Sequence, residues 1–154
     1  MKNEHLDQVE EFHNLFEVPV LNTPQIPDQK RCELRISLIS EELQELKDAI
    51  ASNDLVEVAD ALCDLQYVLS GTVLEFGMKE KFSEMFAEVH RSNLSKACET
   101  LEIAELTAQK YEQNYSVSYG QVKDKYLVYR TDDEKVLKSV KYSPADLVPF
   151  LDAV

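Results

Sequence analysis

Leu6, Val9, Phe12 and Phe16 recur at intervals of three and four, the spacing that gathers side chains on one helix face, so residues 5–16 read as a short amphipathic helix. Pro19, Pro24 and Pro27 break the helical pattern after it. Each proline removes a backbone donor and restricts its predecessor, which makes residues 17–28 an extended loop. Periodicity returns over Gln29–Ser52, where Cys32, Ile36, Ile39, Leu43, Leu46 and Ile50 form one stripe and Leu34, Leu38 and Ala49 a second band. After a break at Ser52, Asn53 and Asp54, residues 55–76 carry apolar side chains around almost their whole circumference, as a central helix does. Gly77 is a candidate to close it. A fourth helix is expected from Lys79 to about Lys96, and a fifth from Leu101 to about Asn114 behind Thr100 as N-cap.

Beyond Asn114 the period changes. Ser116-Val117-Ser118-Tyr119 alternates, and Tyr126-Leu127-Val128-Tyr129 and Val136-Leu137 flank the turn-like Asp132-Asp133-Glu134, giving a small β-hairpin or three short strands. Ser143 as cap, Pro144 at the first position and Asp146 completing a capping box predict a last short helix. The expected fold is all-α: four to five helices with a small C-terminal β-hairpin. Residues 1–114 form the helical core, and residues 115–154 are an appendage of the same domain. A chain of 154 residues suits one domain, and three glycines with no tryptophan favour helices over a turn-rich β fold.

Charge narrows the partners. With 29 acidic against 16 basic residues the net charge is −13, which argues against nucleic acid or an anionic membrane as a partner. Cys32, Cys63 and Cys98 are odd in number and widely spaced, so neither a disulfide framework nor a zinc site is indicated. A cytoplasmic location is expected, because the first residues are acidic and amphipathic rather than a leader and no apolar run is long enough to span a bilayer.

The acidic residues of the two central helices are not scattered. Glu41, Glu42 and Glu45 lie on the first, and Glu57, Asp60 and Asp64 at helical spacing on the second. If the chain reverses at Asn53, residues whose numbers sum to about 105 lie opposite one another, so Glu45 faces Asp60, and Glu41 or Glu42 faces Asp64. Like charges so placed raise one another's pKa and weaken the fold unless a cation sits among them. Hard oxygen donors without thiolate or imidazole favour Mg²⁺, with Mn²⁺ as a substitute. Three plainer readings compete. Arg31 and Arg35 supply salt bridges to Glu42 and Glu45; Glu57, Asp60 and Asp64 form a solvated stripe; or Asp54 is an N-cap with Glu57 completing its capping box.

Glu42-x-x-Glu45 followed by Glu57-x-x-Asp60 resembles the double acidic signature of the MazG-like all-α nucleoside triphosphate pyrophosphohydrolases. The run from Glu57 to Val68 and the segment Glu88-Val89-His90-Arg91-Ser92-Asn93-Leu94-Ser95-Lys96 resemble the phosphoribosyl-ATP pyrophosphohydrolase-like branch. The resemblance spans roughly residues 12–96, with some return over 135–147. It implies a four- to five-helix MazG-like bundle that hydrolyses a (deoxy)nucleoside triphosphate to the monophosphate and pyrophosphate. Glu42, Glu45, Glu57 and Asp60 would hold Mg²⁺, and Glu41 or Glu42 would orient or deprotonate the attacking water. Asn93 and Lys96 would contact substrate phosphates, with Asp64 supporting the site directly or through water. A homodimer or homotetramer is implied. Phosphoribosyl-ATP hydrolysis in histidine synthesis and a catalytically silent helical interaction protein are the alternatives, and a calcium module is disfavoured because no D-x-[DN]-x-[DN]-G loop is present.

Overall fold

The computed structural model describes residues 4–151. Its elements run in the order α1 (Glu4–Leu15), α2 (Gln29–Ser52), α3 (Leu55–Glu75), a 3₁₀ turn (Lys79–Lys81), α4 (Phe82–Leu94), α5 (Leu101–Glu112), β1 (Val117–Val122), β2 (Lys125–Arg130) and α6 (Val148–Leu151). The fold is mostly α with one small antiparallel hairpin. Contacts group the chain into two compact units, residues 4–83 with 149–151, and residues 84–148. The division falls in the first turn of α4, and α5 belongs with the hairpin. Among the described residues no helix is long and apolar enough to cross a membrane.

In the first unit α2 and α3 form a long helical hairpin, and α1 packs on α3. Asp28 caps α2 by accepting from the Arg31 N–H, and Asp54 caps α3 by accepting from the N–H groups of Val56 and Glu57. Asn53 makes the reversal in the left-handed conformation (φ 55°, ψ 37°), which asparagine tolerates better than most side chains. The proline-rich loop is held at defined points: Leu21 N–H donates to Leu74 O (3.0 Å) and Gln25 N–H to Phe76 O (3.1 Å). Gly77, at φ +70°, lies against the Thr23 carbonyl, where a Cβ would clash with backbone.

The interior of this unit is partly ionic. Glu75 is 1% exposed and takes hydrogen bonds from Arg31 Nε (2.9 Å) and Arg35 Nε (2.8 Å), with the outer nitrogens of both guanidiniums also on Oε1. His13 completes the cluster, its Nδ1 on Pro19 O (3.0 Å) and its Nε2 3.4 Å from Arg35. Gly71 makes room: a Cβ there would meet the Arg35 guanidinium at 2.8 Å and His13 Nε2 at 2.9 Å. The apolar circumference of α3 is meanwhile left uncovered in part, with Leu55, Val56, Leu62 and Leu69 exposed, as are Ile36, Leu43 and Ile50 on α2.

In the second unit Cys98, Ala104, Ala108, Val128 and Leu137 form the core between α5 and the hairpin. The hairpin pairs Val117 with Arg130 through Val122 with Lys125 and turns at Lys123 and Asp124, with Lys123 at φ 58°. Residues 132–134 are a second turn, and beyond it Val136 contributes one isolated bridge to Tyr129 rather than a third strand. The last helix departs from expectation: it starts at Val148, not behind Ser143. Ser143 does not cap, because the Asp146 N–H that its hydroxyl would have to hold donates to Glu88 Oε1 (2.9 Å). Asp146 instead accepts from the Val148 N–H (3.2 Å).

Candidate functional site

The two helices of the hairpin carry the acidic motifs past each other. Glu45, Asp48, Glu57 and Asp60 line one open cleft of about 480 Å³, floored by Ala49, Ser52 and Ala61. The small residues are what let α2 and α3 approach there, since Ala49 and Ala61 are both buried in the contact. One turn further along, Glu42 is half-buried. Burial raises its carboxyl above the ordinary carboxylate range, and the charges of Glu45, Asp64, Glu41 and Asp60 raise it further. Glu42 therefore feels carboxylates of both helices, and all six acidic residues of the two motifs fall in one stretch of the hairpin.

Two of the plainer readings fail on geometry. Arg31 and Arg35 are committed to Glu75, and among the described residues no lysine or arginine forms an ion pair with Glu41, Glu42, Glu45, Glu57, Asp60 or Asp64. The capping box is not closed by Glu57, because the Asp54 N–H already donates to Ala49 O (3.0 Å). The Glu57 carboxylate, near the mouth of the cleft, is thus not needed by the helix.

The cluster as it stands is uncompensated negative charge. Among the described residues no three histidine, cysteine, aspartate or glutamate side chains already converge to metal-binding distance. Its donors are nevertheless all hard oxygens, on two rigid helices and along an open cleft, the donor chemistry that suits an oxygen-seeking divalent cation. Glu42, Glu45, Glu57 and Asp60 are the residues that could hold one.

Asn93 and Lys96 belong to the second unit. They meet at the end of α4, where Lys96 Nζ donates to Asn93 Oδ1 (2.7 Å), and Asn93 is exposed. Tyr67 packs edge-on against Phe12 (5.7 Å between ring centroids) and borders a separate cavity of about 340 Å³ with Leu62, Cys63 and Gln66.

Sequence reasoning missed Glu75. A signal was present: by the same pairing sum of about 105, Arg31 lies opposite Leu74 and Glu75, so the arginine's partner stood across the hairpin rather than one turn up its own helix. Burial pushes Glu75 toward protonation, but the hydrogen bonds and charges of Arg31 and Arg35 outweigh it and hold the carboxyl below its ordinary value. His13 is lowered, first by burial and then by Arg35, against the opposing bond to Pro19. It stays neutral, so Nδ1–H donates to Pro19 and Nε2 accepts from Arg35.

Comparison with known families identifies the one to which this helical hairpin belongs. The phosphoribosyl-ATP pyrophosphohydrolase profile matches residues 9–93, more than half of the chain and all of α2 and α3. The chain belongs to this family of pyrophosphohydrolases, within the MazG-like nucleoside triphosphate pyrophosphohydrolase superfamily. Among curated proteins none matches the chain.

Proposed function

We propose that the protein hydrolyses a (deoxy)nucleoside triphosphate to the monophosphate and pyrophosphate with the help of Mg²⁺. The observation that carries this reading is the unpaired acidic cluster: Glu42 is perturbed by carboxylates from both helices, while the nearby arginines are engaged elsewhere. Such a cluster costs stability unless a cation and its ligand use it.

Glu42, Glu45, Glu57 and Asp60 are assigned to the cation, with Mn²⁺ as a substitute for Mg²⁺. When bound, the cation neutralises phosphate charge and acidifies coordinated water. The protein's own contribution is acid–base and positional. Whichever of Glu41 and Glu42 is not fully committed to the cation is assigned as the base that orients the attacking water and takes its proton. Asp64, on the face of α3 that influences Glu42, supports the same group. Asn93 and Lys96 are assigned to substrate phosphates, an amide and an ammonium already hydrogen-bonded as a pair.

A homodimer or homotetramer is the assembly we assign. Ile36, Leu43 and Ile50 on α2 and Leu55, Val56 and Leu62 on α3 leave wide apolar faces that a second copy would cover. No role for nucleic acid or membrane is assigned, in keeping with the charge of −13.

Phosphoribosyl-ATP as the substrate is the second reading, favoured by the name of the matching family. It shares the reaction and needs contacts to one more phosphate. Pyrophosphate release from a panel of nucleoside triphosphates, deoxynucleoside triphosphates and phosphoribosyl-ATP, with Mg²⁺ and with EDTA, separates the two. Metal-dependent release from any triphosphate supports the first reading, release from phosphoribosyl-ATP alone supports the second, and release from none overturns both.

A further inference from the structure

The segment after the hairpin has no regular secondary structure, yet it is stitched along the end of α4 by a series of hydrogen bonds. Ser139 N–H donates to Lys96 O (3.2 Å), Ser92 Oγ donates to the Tyr142 hydroxyl (3.0 Å), Arg91 donates to Pro144 O (3.0 Å), and Asp146 N–H donates to Glu88 Oε1 (2.9 Å). Together with the two bonds between Ser95 and Ser143, these fix residues 139–146 beside Asn93 and Lys96. Ser92 and Ser139 are buried by the contact.

The strap and the residues leading into it, 135–146, carry Lys135, Lys138 and Lys141 against Asp146 alone, with Asp132, Asp133 and Glu134 just before them. Lys138 Nζ lies 4.5 Å from the centroid of the Tyr142 ring, and the Tyr142 hydroxyl is held at Ser92, the residue before Asn93. Arg91 also faces the phenol, although Glu88 occupies its guanidinium, holding Arg91 above and Glu88 below their ordinary values. Since Tyr142 accepts from Ser92, its own proton is left to donate. An ammonium on Lys138, a phenolic donor on Tyr142 and the Asn93–Lys96 pair thus fall in one short stretch of surface.

We infer that the strap supplies an anion subsite, formed by Lys138 and the Tyr142 hydroxyl next to Asn93 and Lys96, that binds a phosphate group of a nucleotide. The inference rests on the reading of Asn93 and Lys96 as phosphate contacts. The family match ends at residue 93, before the strap. The packing supplies the physical reason for a fixed strap: a lysine on a free tail loses its rotamer and backbone freedom on binding phosphate, whereas here the backbone is already ordered.

The test uses inorganic tripolyphosphate as the probe, with the full chain in EDTA at low ionic strength, followed by calorimetry. Lys138→Ala is expected to weaken binding by about fivefold to tenfold, the scale of one charge-assisted contact, and Lys138→Arg to keep most of it. Lys110→Ala is the control, since Lys110 also stacks on a tyrosine, Tyr111, but away from the strap. Loss in Lys138→Ala alone supports the subsite even if no nucleotide is hydrolysed. Equal loss in Lys138→Ala and Lys110→Ala, no loss in either, or no binding by the wild-type chain overturns it. If nucleotide turnover continues with KM unchanged in Lys138→Ala, the subsite falls while the proposed reaction stands.

Discussion

Glu75 and Glu42 sit on the same pair of helices and are perturbed in opposite directions. Glu75 is enclosed by two guanidiniums and a neutral histidine, and its carboxyl is held down. Glu42 is surrounded by carboxylates and its carboxyl is held up. The open end of the α2–α3 hairpin thus closes its charges internally, while the middle leaves them unbalanced. A protein that merely needed a stable helical pair would gain by pairing the arginines with the nearer acids. That the arginines serve Glu75 instead leaves the acidic stretch without a basic partner, as the proposed cation site requires.

Breaking the compensated end has the largest expected effect. Glu75→Ala leaves the buried Arg35 and the partly exposed Arg31 without their carboxylate and is expected to cost about 3–5 kcal/mol in urea unfolding, as for other buried pairs deprived of one partner. Glu75→Gln keeps an acceptor and should cost less. If both variants unfold at the wild-type urea concentration, the cluster does not hold the hairpin.

At the uncompensated end the expected signs reverse. Asp60→Asn or Glu45→Gln should lower pyrophosphate release by more than about 100-fold, since even indirect partners of metal sites cost ten- to a hundredfold. Stability should be unchanged or raised, because one of several repelling charges is gone. Full activity in either variant removes that residue from the metal assignment. Mg²⁺ should stabilise the wild-type protein by about 2.7 kcal/mol at a hundred times its dissociation constant, read as a raised thermal midpoint, and should do so much less in Asp60→Asn. A midpoint indifferent to Mg²⁺ would sink the cation site.

The smallest effect is on the pH profile. Glu42 is raised, so the folded state holds its proton more tightly than the unfolded chain. Its contribution weakens stability as pH rises from the ordinary carboxylate range through the raised value. Glu75 is lowered, so its contribution is full above the ordinary carboxylate range and is lost as pH falls through the lowered value. His13 is also lowered, and the unfolded chain takes its proton first as pH drops below about 6.5. Urea midpoints measured across pH should therefore show Glu42→Gln more stable than wild type at neutral pH, with the difference shrinking in acid. A constant difference would refute the raised carboxyl.

Much of this arrangement was legible in the sequence. The bounds of α2 follow from the proline-rich loop before Gln29, the break at Ser52–Asp54 and the apolar period between them, and Glu45 and Asp60, paired by the sum of about 105, line one cleft. Two kinds of information were not local enough to read. Arg31 and Arg35 each have acids a turn or two away on their own helix, and it is the room that Gly71 leaves for the Arg35 guanidinium that lets the cluster form at Glu75 instead. Ser143-Pro144-x-Asp146 has the composition of a helix start, but Glu88 claims the Asp146 N–H, a tertiary competition that composition cannot express.

The link between α2 and α3 consists of Asn53 and Asp54, with Asn53 fixed at φ 55°. Such a short connector works as an index mark: it turns the pairing of two acidic motifs into a matter of counting. One residue added between Asp54 and Asp60 would rotate everything after it by about 100° around α3, swinging Asp60 and Asp64 away from Glu42. Length changes here can be accommodated only in whole helical turns or by rebuilding the link, so the sequence distance from Glu45 to Glu57 sets how the two acidic motifs face each other.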